Sequence, residues 1–142
     1  MERADLGQSV PELGASLGEA LLTPTRIYVR PVLAALAAAE VHGVSHITGG
    51  GFYENIPRSI PAGLCARIEK AAVRVLPIFE LIREKGKIPE RDMFNTFNMG
   101  VGMSLVVSRD TADRALETLR AQDADAYVIG EIVRGGERLD LC

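Results

Sequence analysis

Both histidines of this chain and its only run of three glycines fall in one short segment, Val41–Arg58, VHGVSHITGGGFYENIPR. Consecutive glycines lose much backbone entropy on folding and offer nothing to pack. Such a run is expected where the chain turns through positive φ or a ligand approaches the main chain. With a strand ending at Thr48 and a helix starting near Phe52, the amides of Thr48, Gly49, Gly50 and Gly51 would point outward at a helix N-terminus, an arrangement suited to phosphate. The same residues can also be read as an unliganded turn, because the pattern is neither a P-loop nor a dinucleotide fingerprint. His46, two residues before the glycines, is the candidate to touch substrate. His42 and His46 share a strand face, but no Asp, Glu or Cys stands at a spacing that completes a zinc site. No metal site is expected, and His42 is read as capping the preceding helix.

A second small-residue patch is Thr96–Met103, TFNMGVGM. Asn98 could donate to a ligand oxygen or only satisfy a strand end. Arg26 and Arg30, flanking Tyr28, could bind phosphate or simply be solvated. No nucleophile is set up: there is no Gly-x-Ser-x-Gly elbow, and Cys65 lacks the basic neighbours of a reactive thiol. A carboxylate cluster for magnesium is also missing from the pattern. The chain has parts to bind a phosphorylated ligand but not to run phosphoryl transfer alone.

Length and composition set the frame for these residues. A chain of 142 residues, 47% apolar and 25% charged, suits one globular domain with a real core. The net charge of −3 and scattered basic residues argue against nucleic acid. No apolar run approaches the roughly 20 residues that span a bilayer, and the charged opening has no signal-peptide core. Two cysteines, Cys65 and Cys142, fit a reducing compartment, so a soluble protein of the cytoplasm is expected.

The elements that must position the candidate site follow from periodicity and punctuation. Residues 1–25, broken by Gly7, Pro11, Gly14, Gly18 and Pro24, read as a connecting arm, and its charged start suggests a piece of a longer chain. The domain proper is placed at 26–142. A helix is expected from Pro31 to Gly43, with Val32, Ala35, Leu36 and Ala39 as its buried stripe. Val44–Thr48 should be a strand feeding the glycines, 52–56 a helical turn, and Leu64–Glu69 a strand. Pro77–Gly86 reads as a helix, followed by a short one at Pro89–Phe94. Asn98–Ser108 alternates bulky and small residues and reads as a strand with one face nearly bare. Asp110 is placed as N-cap of a helix carrying Ala112, Ala115, Leu116 and Leu119. Tyr127–Val133 and Arg138–Leu141 should form a hairpin across Gly135-Gly136. The element order implies a mixed sheet covered by helices.

Three stretches, Leu22–Val29 (LTPTRIYV), His46–Arg58 (HITGGGFYENIPR) and Thr96–Met103 (TFNMGVGM), resemble the C-terminal domain of the phosphoribosylformylglycinamidine cyclo-ligases, or aminoimidazole ribonucleotide synthetases. The resemblance covers nearly the whole chain; it departs at Ala71–Leu76, where relatives often carry a tryptophan. It implies an α+β fold with a mixed sheet, partly ferredoxin-like. It implies a part of an enzyme of purine biosynthesis that closes the ring of formylglycinamidine ribonucleotide at the expense of ATP. It further implies that His46 and Thr48–Gly51 line the site, that Phe52, Asn55 and Arg58 position the loop, and that Asn98 and Gly100 lie alongside. ATP and magnesium would be held mostly by an N-terminal half not recognisable here, which also makes the main contact of a homodimer, so the isolated domain should be inactive. A free-standing module binding a phosphorylated metabolite is the other class of reading.

Overall fold

The computed structural model describes residues 5–142, so the first four residues of the expected arm lie outside it. The rest of the arm is not featureless. Strands β1 (Ser9–Val10) and β2 (Ala15–Ser16) form a small antiparallel pair around a 3-10 turn at Pro11–Leu13, and helix α1 (Leu17–Leu21) follows. A reciprocal capping box starts that helix: Ser16 Oγ accepts from the Glu19 amide, while Glu19 reaches back to the Ser16 amide at 2.9 Å. Capping, not hydrophobic period, makes this segment helical, which is why the apolar pattern missed it.

Next come α2 (Val29–Ala38), β3 (Val41–His46), α3 (Gly51–Asn55), β4 (Leu64–Ile68), α4 (Pro77–Gly86) and α5 (Glu90–Thr96). The chain closes with β5 (Met103–Val107), α6 (Ala112–Arg120), β6 (Gly130–Arg134) and β7 (Leu139–Leu141). The class is α+β, with three small sheets among the described residues in place of one continuous mixed sheet. β3 and β5 form a two-stranded antiparallel ribbon, and β4 is the centre of a mixed sheet of order β6-β4-β7. These sheet orders lend no support to the ferredoxin-like detail.

Several boundaries differ from expectation, each for a local reason. Helix α2 starts two residues before Pro31; a proline in the first turn is tolerated because its amide would lack an intrahelical partner anyway. It ends at Ala38, and Gly43 lies inside β3, at a register shift where the strand passes Ser59. A Cβ there would stand 2.7 Å from the Ser59 carbonyl oxygen. The buried residues of α2 are Pro31 and Ala35, while Leu36 is 48% exposed, so it does not belong to the expected stripe. The strand expected from Asn98 starts only at Met103, because Met99 (φ 53°) and Gly100 (φ 102°) break extension. Met99 and Val101 still face the core, but from a turn. Asp110 lies within a 3-10 turn and leaves α6 without a side-chain cap. Finally, β6 and β7 do not form a hairpin. They flank β4 on opposite sides, antiparallel and parallel, so Gly135-Gly136 opens a crossing over β4. Period-2 alternation reports faces, not neighbours, and could not tell these pairings apart.

Ile47, Phe52 and Met93 are the largest fully buried side chains, joined by Ile56, Ile60, Phe94 and Met99. Phe52 meets Phe94 edge to face, with ring centroids 5.2 Å apart. The segment next to the glycines is thus anchored through the core. Among the described residues no helix is long and apolar enough to cross a membrane.

Two outcomes follow. Phe52→Ala should lower stability by about 3–5 kcal/mol, read as a reduced urea midpoint. The Ser16 bonds hold the Glu19 carboxyl below its ordinary value of 4.5. The cap is therefore intact above that value and lost as pH falls through the lowered one. Protection factors of the Leu17–Leu21 amides, corrected for intrinsic exchange, should fall on acidification, and Ser16→Ala should remove that fall.

Candidate functional site

The glycine loop is held from inside by one side chain. Asn55 is only 4% exposed, and its Nδ2 donates to the carbonyls of Gly51 at 2.8 Å, Gly49 at 3.2 Å and Thr48 at 3.5 Å. Arg58 Nη1 donates to Asn55 Oδ1 at 3.3 Å, which fixes the amide the right way round, and Arg58 itself pairs with Glu54 at 3.6 Å. A trans peptide sets its N–H opposite its C=O. Drawing the carbonyls of Thr48 and Gly49 inward to Asn55 therefore turns the amides of Gly49 and Gly50 away from it, whereas Phe52 is fully buried and offers no exposed amide. The Gly51 amide is used within the loop and donates to Thr48 O at 3.0 Å. Of the expected Thr48–Gly51 amides, that of Gly51 is therefore used inside the loop, while those of Gly49 and Gly50 are turned outward.

The three glycines have different reasons to be glycine. Gly50 (φ 91°) and Gly51 (φ 54°) occupy left-handed backbone, and a Cβ on Gly51 would overlap the Phe94 carbonyl oxygen. At Gly49 nothing lies within 4 Å of an added Cβ. The loop is open there, beside the cleft.

That cleft has a volume of about 440 Å³. One wall is the β3 exit, with His46, Ile47, Thr48 and Gly49; facing it are Thr96 at the end of α5 and Phe97 and Asn98 after it, with Gly102 beyond. Thr25 and Tyr28 close it from the segment before α2, and Phe79 from α4. The ribbon brings the first two walls together: Ile47 N donates to Gly102 O at 2.9 Å, continuing the β3–β5 register. None of the lining residues is acidic, so the cleft suits an anionic ligand better than a cation.

The structure sorts the expected residues by place. His46, Thr48, Gly49 and Asn98 line the cleft. Asn98 Oδ1 accepts from Gly100 N at 3.0 Å, so that side chain shapes its own turn and has its Nδ2 group left to offer a ligand. Gly100 packs under Leu76 and the Arg74 carbonyl. Phe52 belongs to the core, and Asn55 and Arg58 lie behind the loop. His42 does not cap α2; it sits in β3 with Nε2 2.7 Å from Ser108 Oγ, which donates to Glu40. Arg26 donates to the Asp123 carbonyl. Pattern reading missed Tyr28, Phe79 and Phe97 as lining residues. The available signal for Tyr28 was its partner: Gly102, on the expected bare strand face, is bare because Tyr28 fills the space. No group of three metal-ligating side chains occurs among the described residues.

Residues 2–141 match the family described as AIR synthase related protein, C-terminal domain. Similar proteins include the phosphoribosylformylglycinamidine cyclo-ligases of Caldicellulosiruptor saccharolyticus, 53% identical over 87% of this chain, and Caldicellulosiruptor bescii, 56% identical over 92%. That of Alkaliphilus metalliredigens is 46% identical over 95%. The chain spans 36%, 38% and 39% of the length of these three relatives.

Three substitutions separate the roles within the loop, each read by urea unfolding. Asn55→Ala should cost about 1–3 kcal/mol, since it leaves buried carbonyls without a donor. Gly51→Ala should cost more than about 1 kcal/mol through both φ and the Phe94 overlap. Gly49→Ala should stay within about 0.5 kcal/mol.

Proposed function

The chain belongs to the AIR synthase related protein family, matching its C-terminal domain, and on that footing we propose that it is the substrate-side part of a phosphoribosylformylglycinamidine cyclo-ligase. In that reaction ATP phosphorylates the formyl-amide oxygen of formylglycinamidine ribonucleotide. The amidine nitrogen attacks the activated carbon and phosphate leaves, giving aminoimidazole ribonucleotide and ADP. The observation that carries this reading is the Asn55-held loop, which at Thr48 and Gly49 borders a cleft with no carboxylate in its lining, beside His46 and Asn98.

In this proposal the amides of Gly49 and Gly50 bind phosphate oxygens of the substrate or of ATP, with Thr48 alongside. Asn98 Nδ2 donates to a substrate oxygen. His46 is the group placed to move a proton during ring closure. Asn55, Arg58, Phe52, Gly51 and Gly100 hold the loop and its facing turn in shape. ATP and magnesium are held mostly by the N-terminal part of the enzyme.

That part is also the partner. Val29, Leu33 and Leu36, together with Ile27 just before the helix, are 48–80% exposed. The three helical ones fall on the side of α2 opposite buried Pro31 and Ala35. Relatives more than twice this length have the additional chain to cover such a stripe. We place the complete enzyme in the cytoplasm as a homodimer.

The test is an assay of ATP-dependent ring closure with this chain alone and with the N-terminal part of the Caldicellulosiruptor bescii relative added. No turnover alone and turnover in the mixture are expected, with His46→Asn lowering kcat of the mixture by about 10²-fold or more. Robust turnover by the chain alone would overturn the assignment.

A further inference from the structure

Tyr28 is half-buried although its neighbours Ile27 and Val29 are widely exposed. Its position depends on Gly102: a Cβ there would overlap the Tyr28 hydroxyl and stand 2.6 Å from the ring carbon that carries it. Gly102 is held by its carbonyl, which accepts from the Ile47 amide, so the slot sits at a fixed distance from the residue after His46. The tyrosine ring in turn meets the His46 imidazole edge-on, with centroids 6.1 Å apart and planes at 60°. His46 is otherwise exposed, with no hydrogen-bond partner for its ring among the described residues.

We propose that Tyr28, seated in the space left by Gly102, fixes the orientation of the His46 imidazole over the cleft and so is a positioning residue for the reaction assigned to it. The physical reason is an absence of competitors. An exposed imidazole has several rotamers of similar energy, and one aromatic edge contact is enough to favour the rotamer that packs on it. Tyr28 lies immediately before α2, so the segment linking the arm to the domain also completes the site wall. The kinetic consequence rests on the function proposed above; the geometric claim does not.

Both are tested separately. With two histidines in the chain, His42→Asn leaves a single set of imidazole proton resonances and identifies His46 by NMR. Tyr28→Ala should shift the His46 resonances and leave those of His42 in place. Tyr28→Phe keeps the ring and should perturb them far less. Gly102→Ala should shift them by evicting the tyrosine, and should add nothing in a Tyr28→Ala background. Additive shifts from Tyr28→Ala and Gly102→Ala, or unmoved His46 resonances in Tyr28→Ala, would overturn the proposal. Matching backbone spectra guard against unfolded variants, and Tyr28→Leu serves where Tyr28→Ala does not fold.

In the two-part enzyme, Tyr28→Ala should lower kcat by about ten- to a hundredfold with KM little changed, and Tyr28→Phe should keep kcat within about twofold. A rise in KM at constant kcat would make Tyr28 only a wall of the cleft and overturn the positioning role. If the unaltered two-part enzyme shows no ring closure, the assigned reaction fails, while the NMR result still decides the coupling of Tyr28 to His46.

Discussion

One buried amide group organises the working end of this domain. Asn55 puts its Nδ2 among three carbonyls of the preceding loop, and the planarity of the peptide does the rest. Carbonyls drawn inward leave amides facing outward without any basic side chain in the loop. A net acidic protein can in this way offer backbone donors beside a cleft whose lining has no carboxylate. Asparagine suits the task because its side chain offers a donor group and an acceptor at once: the donors hold the loop and the acceptor takes Arg58. Aspartate could not donate, and a lysine would bring a charge into a site with 4% exposure.

That arrangement depends in turn on the hydrophobic core. Phe52 and Ile56, on the same short helical stretch as Asn55, are buried against Phe94, Met93 and Ile47. A helix of five residues has no stability of its own in water. Its place is set by the apolar side chains on either side of the asparagine. The facing wall uses the same core from the other direction, since Met93 and Phe94 bury α5 and Met99 anchors the turn that displays Asn98. Site and core are therefore one construction. Residues such as Phe52 and Gly51 matter to the site without bordering the cleft.

The ribbon of β3 and β5 then brings the two loops together. They are separated by some fifty residues in the chain, but the hydrogen bond from Ile47 to Gly102 joins them directly. The outward stripe of α2, by contrast, is an exposed apolar surface. That exposed apolar helix face is the surface on which the proposal seats the N-terminal part.

Much of this was legible in the order of residues. The glycine triplet, His46 and Asn98 stood out because their types are costly or polar where they occur, and proline and glycine punctuation located α4 and the turn after Thr48 closely. Local chemistry of that kind is written along the chain. The tertiary structure alone decided which amides face outward, because that depends on Asn55 reaching back to carbonyls four to seven residues earlier. It alone placed β4 between β6 and β7, because alternation defines a strand's two faces but not its neighbours. It alone showed that Gly102 is bare to admit Tyr28, since a missing side chain cannot announce from sequence what fills its space.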